Sequence, residues 1–217
     1  MKGVVFTGNR RLELQTFDDP TPGPDEVVVE IRASGMCGTD LHTYRSETGS
    51  PNIAGHEPCG VVVARGSAVE ARFAPDGARV MVHHYDGCRT CPNCMSGWTQ
   101  LCEEGSVVYG TSGHGAHAPL MKVPARTLIA LPEALSFTEG AAISCGTGTA
   151  WGALRRMEMP GGATLAVIGQ GPVGLSATML AAAMGARVIA ADISPDRLAR
   201  ARAFGAAETV NASEDMQ

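Results

Sequence analysis

One stretch of the 217-residue chain constrains its fold more than any other: "TLAVIGQGPVGLSATMLAAAMGARVIAADISPDRLARARAFGAAETVN", Thr164 to Asn211. An apolar strand, Thr164 to Ile168, runs into a glycine-punctuated turn and a helix from about Val173 to Met184. A second strand, Arg187 to Ala191, a helix from about Pro195 to Phe204 and a short "ETVN" follow. That order is a βαβαβ unit, which folds as a parallel sheet with its helices laid across it. Ala163 to Met184 runs 22 residues without a charge, long enough to cross a bilayer. Its Gly and Ala content, with Pro172 mid-run, instead reads as a buried strand, turn and helix.

From Met1 to about Leu131 the texture differs. Short β-type runs, "KGVVF", "EVVVEIRA", "GVVVARG", "ARVMVHH", "HAPLMKVP" and "TLIALP", are separated by Pro- and Gly-bearing turns such as "DDPTPGPDE" and "APDGARV". Past "LPEALSFTEGAAISCGTGTAWGALRRM" the sequence becomes Ala-rich helix, and "MPGGA" breaks the chain. The fold class expected is α/β with a mostly β N-terminal domain, residues 1–155 forming the first domain and 156–217 the second.

The net charge of −5 is spread without a basic run, which argues against nucleic acid or an anionic membrane as the main partner. "MKGVVFTGNRRLEL" carries charges where a signal peptide needs an apolar core, so a cytoplasmic setting is expected. Seven cysteines in such a setting favour reduced thiols over disulfides, and metal ligation leads.

"GQGPVG", Gly169 to Gly174, fits G-x-G-x-x-G directly off a strand and into a helix, and Asp192 lies 18 positions beyond Gly174 at the end of the second strand. Gly169 permits the tight turn, Gly171 lets the backbone approach a pyrophosphate, and Gly174 allows close packing of helix on strand. The helix N-terminus presents free N–H groups and a positive dipole end to phosphates. Asp192 can accept hydrogen bonds from both adenosine ribose hydroxyls and would repel a 2′-phosphate, which favours NAD over NADP. A Gly-rich turn that binds nothing, with Asp192 capping the next helix, fits the same residues.

Cys88, Cys91, Cys94 and Cys102 crowd into the sixteen residues from Gly87 to Cys102. Four thiolates can close a tetrahedral shell around one Zn²⁺, leaving no position for substrate, so such an ion would be structural. An iron–sulfur cluster, a redox pair and spare thiols are the competing readings. "GMCGTDLH" brings Cys37, Thr39, Asp40 and His42, and "AGHEPCG" brings His56 and Glu57. Taken singly, Cys37 reads as a small buried apolar residue, His56 as a core histidine and Glu57 as a solvated charge. Taken together, Cys37 and His56, with Cys145 of "SCGTGTAWG" as a third ligand, leave a fourth zinc position open to water or an alcohol. An open zinc suits alcohol oxidation, because the metal lowers the hydroxyl pKa.

These motifs, in order, resemble the zinc-dependent alcohol dehydrogenases of the medium-chain dehydrogenase/reductase family: "GMCGTDLH", "GHEPCGVV", the four-cysteine lobe, "SCGTGTAWGAL", "VIGQGPVGL" and "ADISPDRLARARAFGA". The resemblance implies a GroES-like domain followed by a partial Rossmann domain, with the active site in the cleft between them. It implies Cys37, His56 and Cys145 as catalytic zinc ligands, the Cys₂His set associated with alcohol dehydrogenase. Cys88, Cys91, Cys94 and Cys102 would hold the second zinc of the chain. It makes Glu57 a carboxylate that can approach the metal during exchange, and Asp40 the partner that fixes the tautomer of His56. Thr39 and His42 match a relay carrying the alcohol proton to solvent. Asp192 and Arg197 match the pair that holds the adenosine ribose, Val173 and Thr149 positions that contact the nicotinamide, and His84 a position on the substrate-pocket wall. Cys59, His83, His114 and His117 match no role and are expected to be structural.

The implied reaction is hydride transfer between NAD and an alcohol, its aldehyde or its ketone. A Glu often replaces the third ligand in polyol and threonine dehydrogenases, so Cys145 tilts the substrate toward a simple alcohol. A polyol, threonine or formaldehyde-type dehydrogenase is the alternative, and a non-catalytic zinc scaffold is the reading from another class. The chain stops at "NASEDMQ", one βαβαβ half into the dinucleotide domain, so the 217 residues alone are expected to bind zinc but to turn over alcohol poorly. A full-length form is expected to be a homo-oligomer.

Overall fold

The computed structural model describes residues 1–214 and divides the chain into two compact units, the first Met1–Cys145 and the second beginning at Gly146, ahead of the compositional break near residue 155.

The first unit is mostly β. A hairpin of β1 (Lys2–Gly8) and β2 (Arg11–Thr16) leads to β3 (Glu26–Gly35), and the short helix α1 (Asp40–Arg45) precedes β4 (Glu57–Arg65). Next come β5 (Arg79–Val82), β6 (Tyr85–Asp86), the single-turn α2 (Pro92–Met95), β7 (Val107–Val108), β8 (Leu120–Pro124) and β9 (Leu128–Ala130). An antiparallel sheet runs in the order β8-β3-β4-β5-β9, while β6 and β7 pair separately. β-branched residues build it: Val27, Val29, Val62, Val80, Val82 and Val123 close around the fully buried Met121. The "VVV" runs at residues 27–29 and 61–63 lie in β3 and β4 of this sheet, whereas "KGVVF" lies in β1 of the hairpin. β2 carried no such signal, because "RLELQT" leaves its side chains largely exposed.

Two elements fix the functional region. The β3–β4 ladder pairs Gly35 with Glu57, with register shifts between Val28 and Val29 and between Ile31 and Ala33. Bulges of this kind re-aim the residues beyond them. The helix α3 (Phe137–Ala142) starts at a capping box, Ser136 bonding the Glu139 N–H while the Glu139 carboxylate accepts from Ser136. Ala141 packs with Cys59, Met81 and Leu131 against the sheet. Cys59 is thus a core residue.

The second unit contains α4 (Gly148–Met157), β10 (Thr164–Ile168), α5 (Pro172–Ala183), β11 (Arg187–Asp192), α6 (Pro195–Ala203) and β12 (Glu208–Asn211). Its three strands are parallel in the order β10-β11-β12, so the βαβαβ reading holds, with boundaries within a residue or so. Leu154, Ala181 and Val188 form its core. The uncharged run from Ala163 divides into β10, turn and α5, and among the described residues no helix is long and apolar enough to cross a membrane.

Candidate functional site

The four-cysteine lobe hangs between β6 and β7. The Sγ atoms of Cys88, Cys91, Cys94 and Cys102 all lie within 4.8 Å of one another, and those of Cys88 and Cys94 are 4.0 Å apart. A tetrahedral ion with Zn–S bonds of about 2.3 Å sets its sulfurs about 3.8 Å apart, so the donor set and its spacing fit zinc. Arg89 adopts a left-handed conformation (φ 66°), a turn that directs the N–H groups of Thr90 and Cys91 onto Cys88 Sγ at 3.4 and 3.3 Å. The Thr90 hydroxyl also donates to that sulfur. These donors, the hydroxyl foremost, lower the Cys88 pKa to about 6. Burial, with three sulfur neighbours, pushes Cys94 up to about 12. All seven cysteines are free thiols.

A second cluster joins residues far apart in sequence. One donor atom each from Cys37, His56, Glu57 and Cys145 falls within the same 4.8 Å span, and Cys37 Sγ lies 4.0 Å from Cys145 Sγ. Cys37 follows the end of β3, His56 immediately precedes β4 and Glu57 opens it. Cys145 arrives from α3 in a π-helical turn, Ile143–Thr147. Such turns are rare and concentrate at functional sites. Asp40 orders two of the ligands at once: Oδ1 is 2.9 Å from His56 Nδ1, and Oδ2 accepts from the Cys37 N–H at 2.8 Å. Both Asp40 and His56 are buried. Fixing Nδ1 this way leaves the other ring nitrogen to face the thiols and makes it a stronger donor. Two thiols, an imidazole and an adjacent carboxylate form a borderline-soft set suited to zinc.

The electrostatics follow from that packing. Burial opposes a charge on His56, but Asp40 and Cys145 outweigh it and raise its pKa to about 11. Burial also opposes ionisation of Cys37, yet the Thr39 N–H and hydroxyl, with His56, bring it below the usual thiol value. Cys145 and Glu57 are both raised, by burial first. Thr39 Oγ1 lies 3.7 Å from Cys37 Sγ; Thr39 and His42 are exposed, one helical turn apart at the start of α1. His84 is buried with its ring centroid 4.9 Å from that of His56, and burial, His56 and His83 drive its pKa to about 3. The other unassigned histidines bond to the scaffold: His83 to Thr99 Oγ1, His114 to the Ile53 N–H, and His117 to Ser34 Oγ.

In the second unit the glycine-rich turn has the geometry its spacing predicts. Gly169 is left-handed (φ 85°), and a Cβ on Gly174 would lie 1.8 Å from the Gly169 carbonyl oxygen. A Cβ on Gly171 would meet nothing within 4 Å, so that face of the turn has room for a ligand. Pro172 opens α5 with Val173 exposed beside it, and Thr149 is exposed in the first turn of α4. Asp192 is buried; Oδ2 accepts from the Gln170 N–H at 2.6 Å and Oδ1 from the Ser194 N–H at 2.9 Å. Those two bonds, with Arg197 at 3.7 Å, hold its carboxyl below the usual range. Asp192 therefore braces the turn and the start of the next helix. Because backbone cannot yield to the new methyl, Gly174→Ala is expected to lower the stability of this unit by several kcal/mol, roughly 3 or more, read as earlier loss of helical signal on heating.

The sequence did not reveal the second role of Asp40, the Thr90 hydroxyl contact or the π-helical turn. Each depends on backbone direction at a residue whose type is unremarkable.

The strand order, the two ligand clusters and the glycine turn point to one class, the zinc-binding dehydrogenases. Residues 23–133 match the alcohol dehydrogenase GroES-like domain and residues 172–217 match the zinc-binding dehydrogenases. The chain belongs to the zinc-binding alcohol dehydrogenase family. It is 40% identical to an uncharacterized zinc-type alcohol dehydrogenase-like protein, YphC, of Escherichia coli K12, over 94% of this chain and 61% of that protein. It is 33% identical to the sorbitol dehydrogenase of Bacillus subtilis 168, covering 99% of this chain and 62% of the relative. Among solved structures, the short chain alcohol dehydrogenase rspB from E. coli CFT073, complexed with NADH, superposes with a TM-score of 0.89 at 30% identity, over 99% of this chain and 63% of that one. The chain thus spans about three fifths of the length of these relatives.

Proposed function

We propose that this chain carries the metal centres and the coenzyme turn of a zinc-dependent dehydrogenase that moves a hydride between NAD and an alcohol or the matching aldehyde or ketone. The observation that carries the reading is the contrast between two clusters: one closed by four thiols, the other offering Cys37, His56 and Cys145 with Glu57 alongside. Cys88, Cys91, Cys94 and Cys102 would hold a structural ion, and Cys37, His56 and Cys145 a catalytic one. A zinc ion there supplies Lewis acidity toward the substrate oxygen, and NAD supplies the hydride acceptor.

The chain's own residues supply positioning and proton transfer. Asp40 fixes the His56 tautomer and, through the Cys37 N–H, the neighbouring thiolate. Thr39 Oγ1, beside Cys37, is the group we assign to accept the substrate proton as its own hydroxyl proton leaves by way of the nicotinamide ribose to exposed His42, a turn further on, and so to water. Glu57 offers a carboxylate that can approach the metal when substrate or water exchanges. Gly169, Gly171 and Gly174 shape the pyrophosphate turn, Asp192 with Arg197 holds the adenosine ribose, and Val173 and Thr149 face the nicotinamide. The acid at Asp192 favours NAD over the 2′-phosphorylated coenzyme. A reducing cytoplasm suits seven free thiols.

A second reading, oxidation of a polyol or of threonine, is favoured by the sorbitol and L-threonine dehydrogenases among the relatives. Metal analysis together with a panel of simple alcohols, polyols, threonine and formaldehyde adducts, followed as NADH formation on the full-length protein, separates these. Two zinc ions and turnover of a simple alcohol are the expected result. A single ion held by the four cysteines, without turnover, would leave a scaffold.

A further inference from the structure

We propose that Gln170 is the positioning residue of the dinucleotide turn: its buried amide locks the backbone from Gly169 to Gly171 into the shape that receives a pyrophosphate. The inference rests on the dinucleotide reading above and deepens it.

Gln170 is 1% exposed, and both ends of its amide and its backbone N–H each have a partner on a different element. Nε2 donates to the Val167 carbonyl at 2.8 Å, in β10; Oε1 accepts from Thr178 Oγ1 at 3.0 Å, in α5; the backbone N–H donates to Asp192 at 2.6 Å, at the end of β11. A carbonyl can only accept, so Val167 fixes which way the amide points, and the fully buried Thr178 hydroxyl then donates to its oxygen. Rotating or removing the amide would strand buried polar groups, the costly outcome for hydrogen bonds.

The flanking residues explain why such an anchor matters. Gly169 and Gly171 have no side chains, and glycine loses the most freedom when ordered. Without an anchor, the ligand would meet that ordering cost at binding; with Gln170 in place, folding has already met it. Pro172 has no N–H, and those of Val173 and Gly174 lie in the first turn of α5, where the helix supplies no acceptor. The direction of those donors toward an anion is set by the turn that Gln170 holds.

The test is calorimetric titration of ADP-ribose, which carries the adenosine and pyrophosphate that a βαβαβ unit recognises, into the 217-residue chain. Gln170→Met keeps length and burial but removes both amide bonds, and is expected to weaken binding by about tenfold or more, with zinc content unchanged. Thr178→Val should weaken it less, and the double variant should bind no worse than Gln170→Met alone, because the two act through one network. Affinity of folded Gln170→Met within about twofold of the parent would overturn the inference. So would a fall in melting temperature with affinity intact, the mark of a merely structural glutamine. If Gln170→Met does not fold, unchanged affinity in Thr178→Val overturns it. Failure of the parent chain to bind ADP-ribose would instead sink the dinucleotide reading, and this inference with it.

Discussion

Cys94→Ser is expected to remove one zinc per chain and to lower the melting temperature by roughly 10 °C, taking the loss of a structural metal as about 3–5 kcal/mol and about 2–4 °C per kcal/mol for a chain of this size. The lobe has little else to hold it. Its strands β6 and β7 are two residues each, and from Gly87 to Ser106 the buried residues are Cys91, Cys94 and Thr99. Without an ion, four sulfurs within 4.8 Å must share their space as thiols or repel as thiolates. The bound metal converts that liability into folding free energy. The second cluster lies outside the lobe, so its zinc should stay. Metal analysis with a thermal melt decides the matter: unchanged zinc content and a melting point within about 2 °C of the parent would refute a structural role.

Replacing His56 by Ala in the full-length protein should remove the other zinc and cut alcohol oxidation by roughly a thousandfold or more, the scale of losing charge stabilisation at a reacting oxygen. Asp40→Asn should give a graded loss, about 10- to 100-fold in metal affinity or activity, as for other partners of ligating histidines. The grading separates the roles. Asp40 touches His56 Nδ1 and the Cys37 N–H but offers no atom to the ligand cluster, so its loss loosens two ligands without deleting either. Equal losses in the two variants would show that Asp40 does more than orient. Retention of the second zinc and of activity in His56→Ala would place the chemistry elsewhere.

Local sequence and tertiary packing specify different parts of this protein, for physical reasons. Two features were legible because their information is local. Four cysteines within sixteen residues cannot stray far from one another, whatever the rest of the chain does. The strand, G-x-G-x-x-G turn, helix and following acid fix a βαβαβ unit because hydrophobic periodicity and glycine placement act over a few residues each. The β runs likewise announced the sheet, while β2, with no buried face, was silent.

The second cluster shows the limit. Cys37, His56 and Cys145 are unremarkable one at a time, and the resemblance, not their spacing, selected them. Their convergence needs the register that sets Gly35 against Glu57, the packing of Ala141 against Cys59 and Met81, and a π-helical turn that aims Cys145. Gln170 sat in view as the x of G-x-G, yet its role depends on Thr178 and Val167 arriving from a helix and a strand. The sequence by itself thus determined the elements, the closed thiol lobe and the form of the glycine turn, since neighbours along the chain decide those. The tertiary structure alone decided which scattered ligands meet, which carboxylate orders them and what braces the turn, because register and packing act between residues that the chain holds far apart.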